Sequence, residues 1–247
     1  MFIYVANWKM NMPYNKAVHF AKFNYDGFLR IRNLPQKKIV LCPEFASIET
    51  LKTIFEKTHI DIGAQDCSEF SSGSYTGQVA AESLKNIGCN YCIVGHSERR
   101  HYCRETSFQV AQKVKQLLEV EITPIVCVGE KKEEYEAGVV KDIILAQLEP
   151  VFEVLRPAIK PHICVAYEPI WSIGTGKVPE KVYVESVFQV ILEAAKKEAK
   201  NAQITLLYGG SVDAQLAEIF SSLRHIGGFL IGGASLDFQK FEKIVNL

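Results

Sequence analysis

Apolar residues recur along the chain in short, nearly unbroken runs. Each run stops at a polar or glycine-rich end, and a longer stretch with helical spacing follows. The runs are "FIYVANW" (2–8), "KIVLC" (38–42), "IDIGAQ" (60–65), "YCIVG" (91–95), "TPIVCVG" (123–129), "ICVAYE" (163–168), "ITLLY" (204–208) and "GFLIGG" (228–233), eight in all. Runs that do not alternate with polar residues are expected of parallel strands covered on both faces. Between them, "ETSFQVAQKVKQLLEV" (105–120) puts Val110, Val114, Leu117 and Leu118 on one helical stripe. "EKVYVESVFQVILEAAKKEAK" (180–200) does the same with Val184, Val187, Ile191 and Ala194, and its lysines gather toward the C-terminal end, which the helix dipole favours. "SIETLKTIFEK" (47–57) predicts a helix capped by Ser47.

Eight strand–helix alternations predict an α/β fold with a parallel sheet. An open doubly wound sheet would carry a glycine fingerprint after its first strand, but that strand ends "ANWKMN", without glycine. Eight units in 247 residues suit an eight-stranded (β/α) barrel. No linker or low-complexity stretch divides the chain, so residues 1–247 are expected to form a single domain.

Composition narrows the function classes. The chain is 48% apolar and 23% charged, a globular balance. Lys+Arg and Asp+Glu are both 28, so the formal charge is zero and the basic excess of a nucleic-acid binder is missing. No apolar run approaches the ~18 residues of a membrane span. The N-terminal "MFIYVANWKMN" reads as a strand rather than a secretory leader. Seven cysteines, mostly in apolar runs, predict reduced thiols in a cytoplasmic protein.

In barrels of this kind, chemistry sits at the C-terminal ends of the strands. Those ends carry Asn7, Lys9 and Asn11, then Gln65, then His96 to Arg100 of "GHSERR", then Gly129 and Glu130, then Glu168, then Gly209, Gly210 and Ser211, then Gly232 and Gly233. Each has an ordinary explanation alone: a solvated lysine, a capping histidine, a paired carboxylate, strand-ending glycines. Their convergence on one rim is what independent explanations do not predict. The set fits proton transfer beside a carbonyl, with Glu168 as base, neutral His96 as hydrogen-bond donor and Lys9 as a source of positive potential. The glycine-rich turns after the seventh and eighth strands offer backbone N–H groups to a phosphate. Past Glu168, Pro169 fixes a backbone angle and Trp171 offers an anchor. Gly174 and Gly176 give freedom, which together describes a lid over the site.

Other motifs carry less. Cys89, Cys92, His96, His101 and Cys103 are dense, yet Cys92 and His96 straddle a strand and no second CxxC follows, so no metal is expected. "GTGK" (174–177) lacks the spacing of a nucleotide-binding loop. Cys127 reads as a buried filler.

The pieces "NWKMN" (7–11), "GHSERR" (95–100), "CVGE" (127–130), "AYEPIW" with "IGTGK" (166–177), "YGGSV" (208–212) and "GGASL" (232–236) resemble the triosephosphate isomerase family, over essentially the whole chain. The resemblance implies a (β/α)8 TIM barrel that interconverts dihydroxyacetone phosphate and glyceraldehyde 3-phosphate through an enediol, without cofactor or metal. It implies Glu168 as base, His96 as electrophile and Lys9 as oxyanion stabiliser. Glu98 would support them and Asn11 would bind substrate. Gly174, Ser211, Gly232 and Gly233 would hold the phosphate, and Tyr208 would hold the closed lid. It also implies a homodimer through "GSYTGQVA" (73–80), with Thr76 reaching the partner's Lys9 region. Gln78 stands where the family usually has a glutamate facing Arg99, Pro179 sits in the second lid hinge, and Leu192 and Gly227 replace a frequent arginine–aspartate pair. The alternative class is a catalytically idle barrel acting as a scaffold, which damage at Glu168, His96 or the lid would favour; all are intact.

Overall fold

Every apolar run forms a strand, and the strands pair in chain order. The computed structural model describes residues 1–32 and 34–247. Its elements run β1 (Phe2–Asn7), α1 (Tyr14–Phe23), α2 (Tyr25–Arg32), β2 (Lys37–Cys42), α3 (Ile48–Ile54), β3 (Asp61–Ala64), α4 (Ala81–Asn86), β4 (Tyr91–Val94), α5 (Ser97–Tyr102), α6 (Ser107–Glu119), β5 (Thr123–Val128), α7 (Lys132–Glu136), α8 (Val140–Leu155), β6 (His162–Tyr167), α9 (Lys181–Glu198), β7 (Gln203–Tyr208), α10 (Ala214–Ser221), β8 (Ile226–Ile231) and α11 (Phe238–Val245). Each strand is parallel to its neighbours, and β1 pairs with both β2 and β8, which closes a (β/α)8 barrel. The strand ends differ from the sequence expectation by one or two residues, because the terminal residues turn into the loops.

Strand residues alternate between two cores. Ile3, Val5, Val40, Cys42, Tyr91, Ile93, Ile125, Cys127, Cys164, Ala166, Leu207 and Leu230 fill the barrel interior. Their neighbours, such as Tyr4, Ile39, Cys92, Val126, Val165 and Ile231, face the surrounding helices. This period of two sets what reaches the barrel mouth. Cys164 and Ala166 point inward, so Glu168 does too; Ile3 and Val5 point inward, so Asn7 follows.

The helices bury their predicted stripes, with adjustments. Val110, Val114 and Leu117 are fully buried, as are Val184 and Ile191, with Val187 nearly so. Leu118 and Ala194 pack only at the margin of the core. Ala195 is buried instead, one residue further round α9. Ser47 is not the cap expected of it. It closes a 3-10 turn, Phe45–Ser47, its backbone already helical, and its side chain caps nothing. The side-chain capping signal lies elsewhere. Thr106 Oγ1 accepts the Gln109 N–H at 3.2 Å and Gln109 Oε1 accepts the Thr106 N–H at 3.0 Å, a reciprocal box that starts α6.

Beside the mouth lies a balanced charge cluster the sequence reading did not contain. Lys113 Nζ meets Asp66 Oδ1 at 2.7 Å and also contacts Glu105. Arg99 reaches Asp66 at 2.9 Å and Glu105 at 3.3 Å. Burial alone would lower the Lys113 pKa, but the two carboxylates outweigh it and raise it. Arg99 therefore finds its partners inside its own chain, while Gln78 stays exposed. Lys113→Met is predicted to leave two buried carboxylates sharing the single cation Arg99 and to cost about 3–5 kcal/mol. Urea unfolding measures this; a loss under ~1 kcal/mol would mean the carboxylates find another partner.

Candidate active site

Glu168 enters the barrel mouth by strand parity, and its backbone is fixed there by the Glu168 N–H donating to Val128 O at 2.8 Å. Gly129 lies opposite. A Cβ on it would collide with the Glu168 carbonyl oxygen, so only glycine lets β5 and β6 approach this closely. Glu168 is buried, 2% exposed as a residue. It accepts the Ser97 N–H at 3.0 Å and lies 3.0 Å from His96 Nε2. Burial pushes its carboxyl upward in pKa, but His96, the Ser97 N–H and Lys9 outweigh that and hold it below the usual range.

His96 arrives differently. Tyr91 and Ile93 point inward, so parity hands the next inward place to Gly95. Gly95 has φ +69°, a left-handed turn that re-aims the chain and brings the following imidazole into the mouth. His96 Nδ1 accepts the Glu98 N–H at 3.2 Å, at the start of α5. An Nδ1 that accepts leaves the proton of a neutral ring on Nε2. Burial and Lys9 favour the neutral ring; the Glu168 carboxylate, with a smaller share from Glu98, outweighs them and raises the pKa.

Lys9 sits in a left-handed turn at φ +51°. Two side chains brace that turn. Asn7 Oδ1 accepts the Lys9 N–H at 3.1 Å, and Gln65 Nε2 donates to Lys9 O at 2.8 Å and to Cys42 O at 3.0 Å. Lys9 Nζ meets Glu98 Oε1 at 2.6 Å.

A cavity of about 230 Å³ gathers Asn7, Lys9, His96, Glu168, Gly174, Gly210, Ser211, Gly232 and Gly233. Asn11 is not among them. The Lys9 turn carries the chain outward, so Asn11 is exposed and its Nδ2 donates to Trp8 O at 3.1 Å. Asn7, buried and inward by parity, takes the place expected of Asn11. Tyr208 is buried behind the glycine turn, edge-on to Phe220 at 4.6 Å.

The segment after Glu168 has a fixed root and a free tip. Glu130, outward by parity and fully buried, accepts Tyr167 Oη–H at 2.9 Å, Trp171 Nε1–H at 2.6 Å and Tyr183 Oη–H at 2.9 Å on one oxygen. Burial raises its pKa, and these donors offset part of the rise. Tyr135 stacks on Trp171 with ring centroids 4.3 Å apart. Trp171 is therefore an anchor by hydrogen bond as well as by area. At the tip, Gly174 and Gly176 have φ +73° and +74° and open space around them. Pro179, by contrast, is buried.

Known proteins match this arrangement. The triosephosphate isomerase family model covers residues 2–247. The chain belongs to the triosephosphate isomerase family. Curated relatives named triosephosphate isomerase include one from Wolbachia sp. subsp. Brugia malayi, 40% identical over 246 residues, covering 99% of this chain and 97% of that protein. Another, from Thermus thermophilus, is 39% identical, covering 98% and 96%. Among the described residues no helix is long and apolar enough to cross a membrane, and no group of three or more His, Cys, Asp or Glu forms a candidate metal site. Burial pushes the Cys89 thiol up to about 12 and Cys92 well above its usual value, which suits inert fillers.

Slow exchange is predicted for the Ile170, Ser172 and Ile173 amides, which donate to Glu130 O, Pro169 O and Ile170 O, and fast exchange for Gly174 and Gly176. Trp171→Phe removes the Glu130 hydrogen bond and is predicted to speed the first group by ~10-fold or more without altering the second. Hydrogen exchange read by NMR checks this; unchanged root amides would mean Trp171 does not hold the lid.

Proposed function

We propose that this protein interconverts dihydroxyacetone phosphate and D-glyceraldehyde 3-phosphate by proton transfer. The observation that carries the reading is the buried Glu168 carboxylate, 3.0 Å from His96 Nε2, on the cavity it shares with Lys9 and two glycine turns. The pairing of a carboxylate base with a neutral histidine is already known for this family. In this reading Glu168 leaves the Ser97 N–H and takes a proton from the carbon beside the substrate carbonyl. The bonding pair becomes the carbon–carbon double bond of an enediolate. His96 Nε2–H donates to the oxygen that gains charge, and Lys9, held by Glu98, adds positive potential there. The hydroxyl proton on the first carbon passes to the charged oxygen, and Glu168 returns its proton to the carbon that bore the carbonyl, so that the carbonyl re-forms on the first carbon. Once Glu168 turns to the substrate, the contact that raises the His96 pKa is gone. Burial and Lys9 remain and favour the neutral ring, with only the Glu98 carboxylate still acting against them.

Ser211, Gly232 and Gly233 would hold the phosphate from the far side of the cavity, and Asn7 would line it beside Lys9. Gly174 would join as the lid swings on Pro169 and Trp171, with Gly176 giving freedom and Tyr208 receiving the closed lid. Closure keeps water from the enediolate. The chemistry consists of proton transfers alone and calls for no cofactor. An idle scaffold would not require base, donor, cation and lid together. Closure of all eight strands supports reading residues 1–247 as one domain. Seven free thiols, six of them buried, support a reducing, cytoplasmic setting.

Glu168→Gln keeps the shape and removes the base. Steady-state isomerisation is predicted to fall by at least about 10²–10⁴-fold in kcat, with KM changed far less. A folded wild type without turnover, or a variant as fast as wild type, contradicts the reading.

We further propose a homodimer through the loop around Thr76. Phe70 and Tyr75 stack at 3.9 Å on its exposed surface. Beside Lys9 a groove of about 400 Å³, lined by Met10, Phe45 and Glu98, offers a receiving surface. Sedimentation is predicted to give twice the chain mass for wild type and the single-chain mass for Thr76→Arg; a monomeric wild type refutes it.

A further inference from the structure

Arg100 belongs to the rim motif "GHSERR" but has no part in the chemistry above. Its guanidinium donates to three neutral oxygens on three elements. Nε reaches Gly95 O at 2.8 Å, Nη1 reaches Ser107 Oγ at 3.1 Å, and Nη2 reaches Cys127 O at 3.3 Å. Each acceptor matters to the site. Gly95 O belongs to the peptide that joins Gly95 to His96, so fixing it fixes the direction in which the imidazole leaves the chain. Cys127 O belongs to the peptide before Val128, whose own carbonyl receives the Glu168 N–H at 2.8 Å. Ser107 opens α6, the helix packed over both strands.

Resting on the isomerase reading, we propose that Arg100 is a positioning residue. Its planar fork braces the His96 turn against the end of β5, and so sets the separation between His96 Nε2 and the Glu168 carboxylate. Only arginine supplies several in-plane donors at fixed angles; an ammonium supplies a point charge. A guanidinium titrates so high that the group stays charged even with its pKa lowered overall by burial. Burial pulls its pKa down, whereas the Cys127 thiol and the Glu105 and Glu168 carboxylates pull the other way. Lys9, across the mouth, pairs with Glu98 rather than with these groups.

The test compares wild type with Arg100→Lys, which keeps the charge and loses the fork. The prediction is a fall in kcat of about 10–100-fold, as expected for a misplacement near 1 Å, with KM within about threefold. The reason is that the proposed phosphate grip lies on β7 and β8. The ¹⁵N resonances of the His96 ring are predicted to shift in the free variant, a change that lost stability elsewhere would not produce. A kcat within about threefold of wild type, a rise in KM alone, or unchanged ring resonances overturns the proposal. If Arg100→Lys does not fold, Ser107→Ala removes one acceptor, and a smaller fall in kcat at constant KM is expected; an unchanged kcat then overturns it. A wild type without turnover contradicts the isomerase reading, and the ring resonances still test the brace.

Discussion

A carboxylate stays charged out of water only where donors meet it, and the Glu168 carboxylate is met from two sides. The Ser97 N–H and His96 Nε2 each lie 3.0 Å from one of its oxygens. Much of the mouth answers to this arrangement. Parity along β6 delivers the side chain inward. Gly129 lets the neighbouring strand end approach its backbone, and Gly209 leaves room beside its side chain, where a Cβ would come 3.0 Å from Glu168 Cγ. The Glu98 N–H selects the His96 tautomer that faces the carboxylate. The same contacts that keep Glu168 ionised are weak enough to exchange for a substrate, which suits a base that must take and return a proton.

The lid follows a complementary rule. Its root is tied to Glu130 through the Trp171 Nε1–H at 2.6 Å and stacked on Tyr135, while open space surrounds the tip glycines Gly174 and Gly176. A fixed root with a mobile tip would confine motion to a hinge, so that the proposed closure would bring the same backbone N–H groups to the same place each time. In that proposed closed state, water would be excluded where the developing charge is greatest, and each nearby dipole would act in a drier medium.

Much of this was legible along the chain because it depends on period. Unbroken apolar runs gave the barrel, and their ends gave Lys9, His96 and Glu168. Period also explains why Asn7, and not the expected Asn11, lines the cavity. Continuing the β1 alternation selects Asn7, and the left-handed turn at Lys9 sends Asn11 outward, which the motif's spacing alone did not reveal. Ser47 misled because a serine before an apolar stripe signals a cap only where the backbone is still extended, and here it is already helical. The cluster of Asp66, Arg99, Glu105 and Lys113, and the Arg100 fork, were out of reach for another reason. Their partners come together only when separate strands and helices close the barrel.

The central claim is that Glu168 moves a proton between adjacent carbons of a triose phosphate. The most direct test is turnover of dihydroxyacetone phosphate in deuterium oxide, with the products read by NMR. The account predicts a carbon-bound deuterium at the carbons beside the carbonyl, appearing as isomer forms and absent with Glu168→Gln. Isomerisation with carbon-bound deuterium at an undiminished rate in Glu168→Gln would contradict the claim, because another group would then be moving the proton.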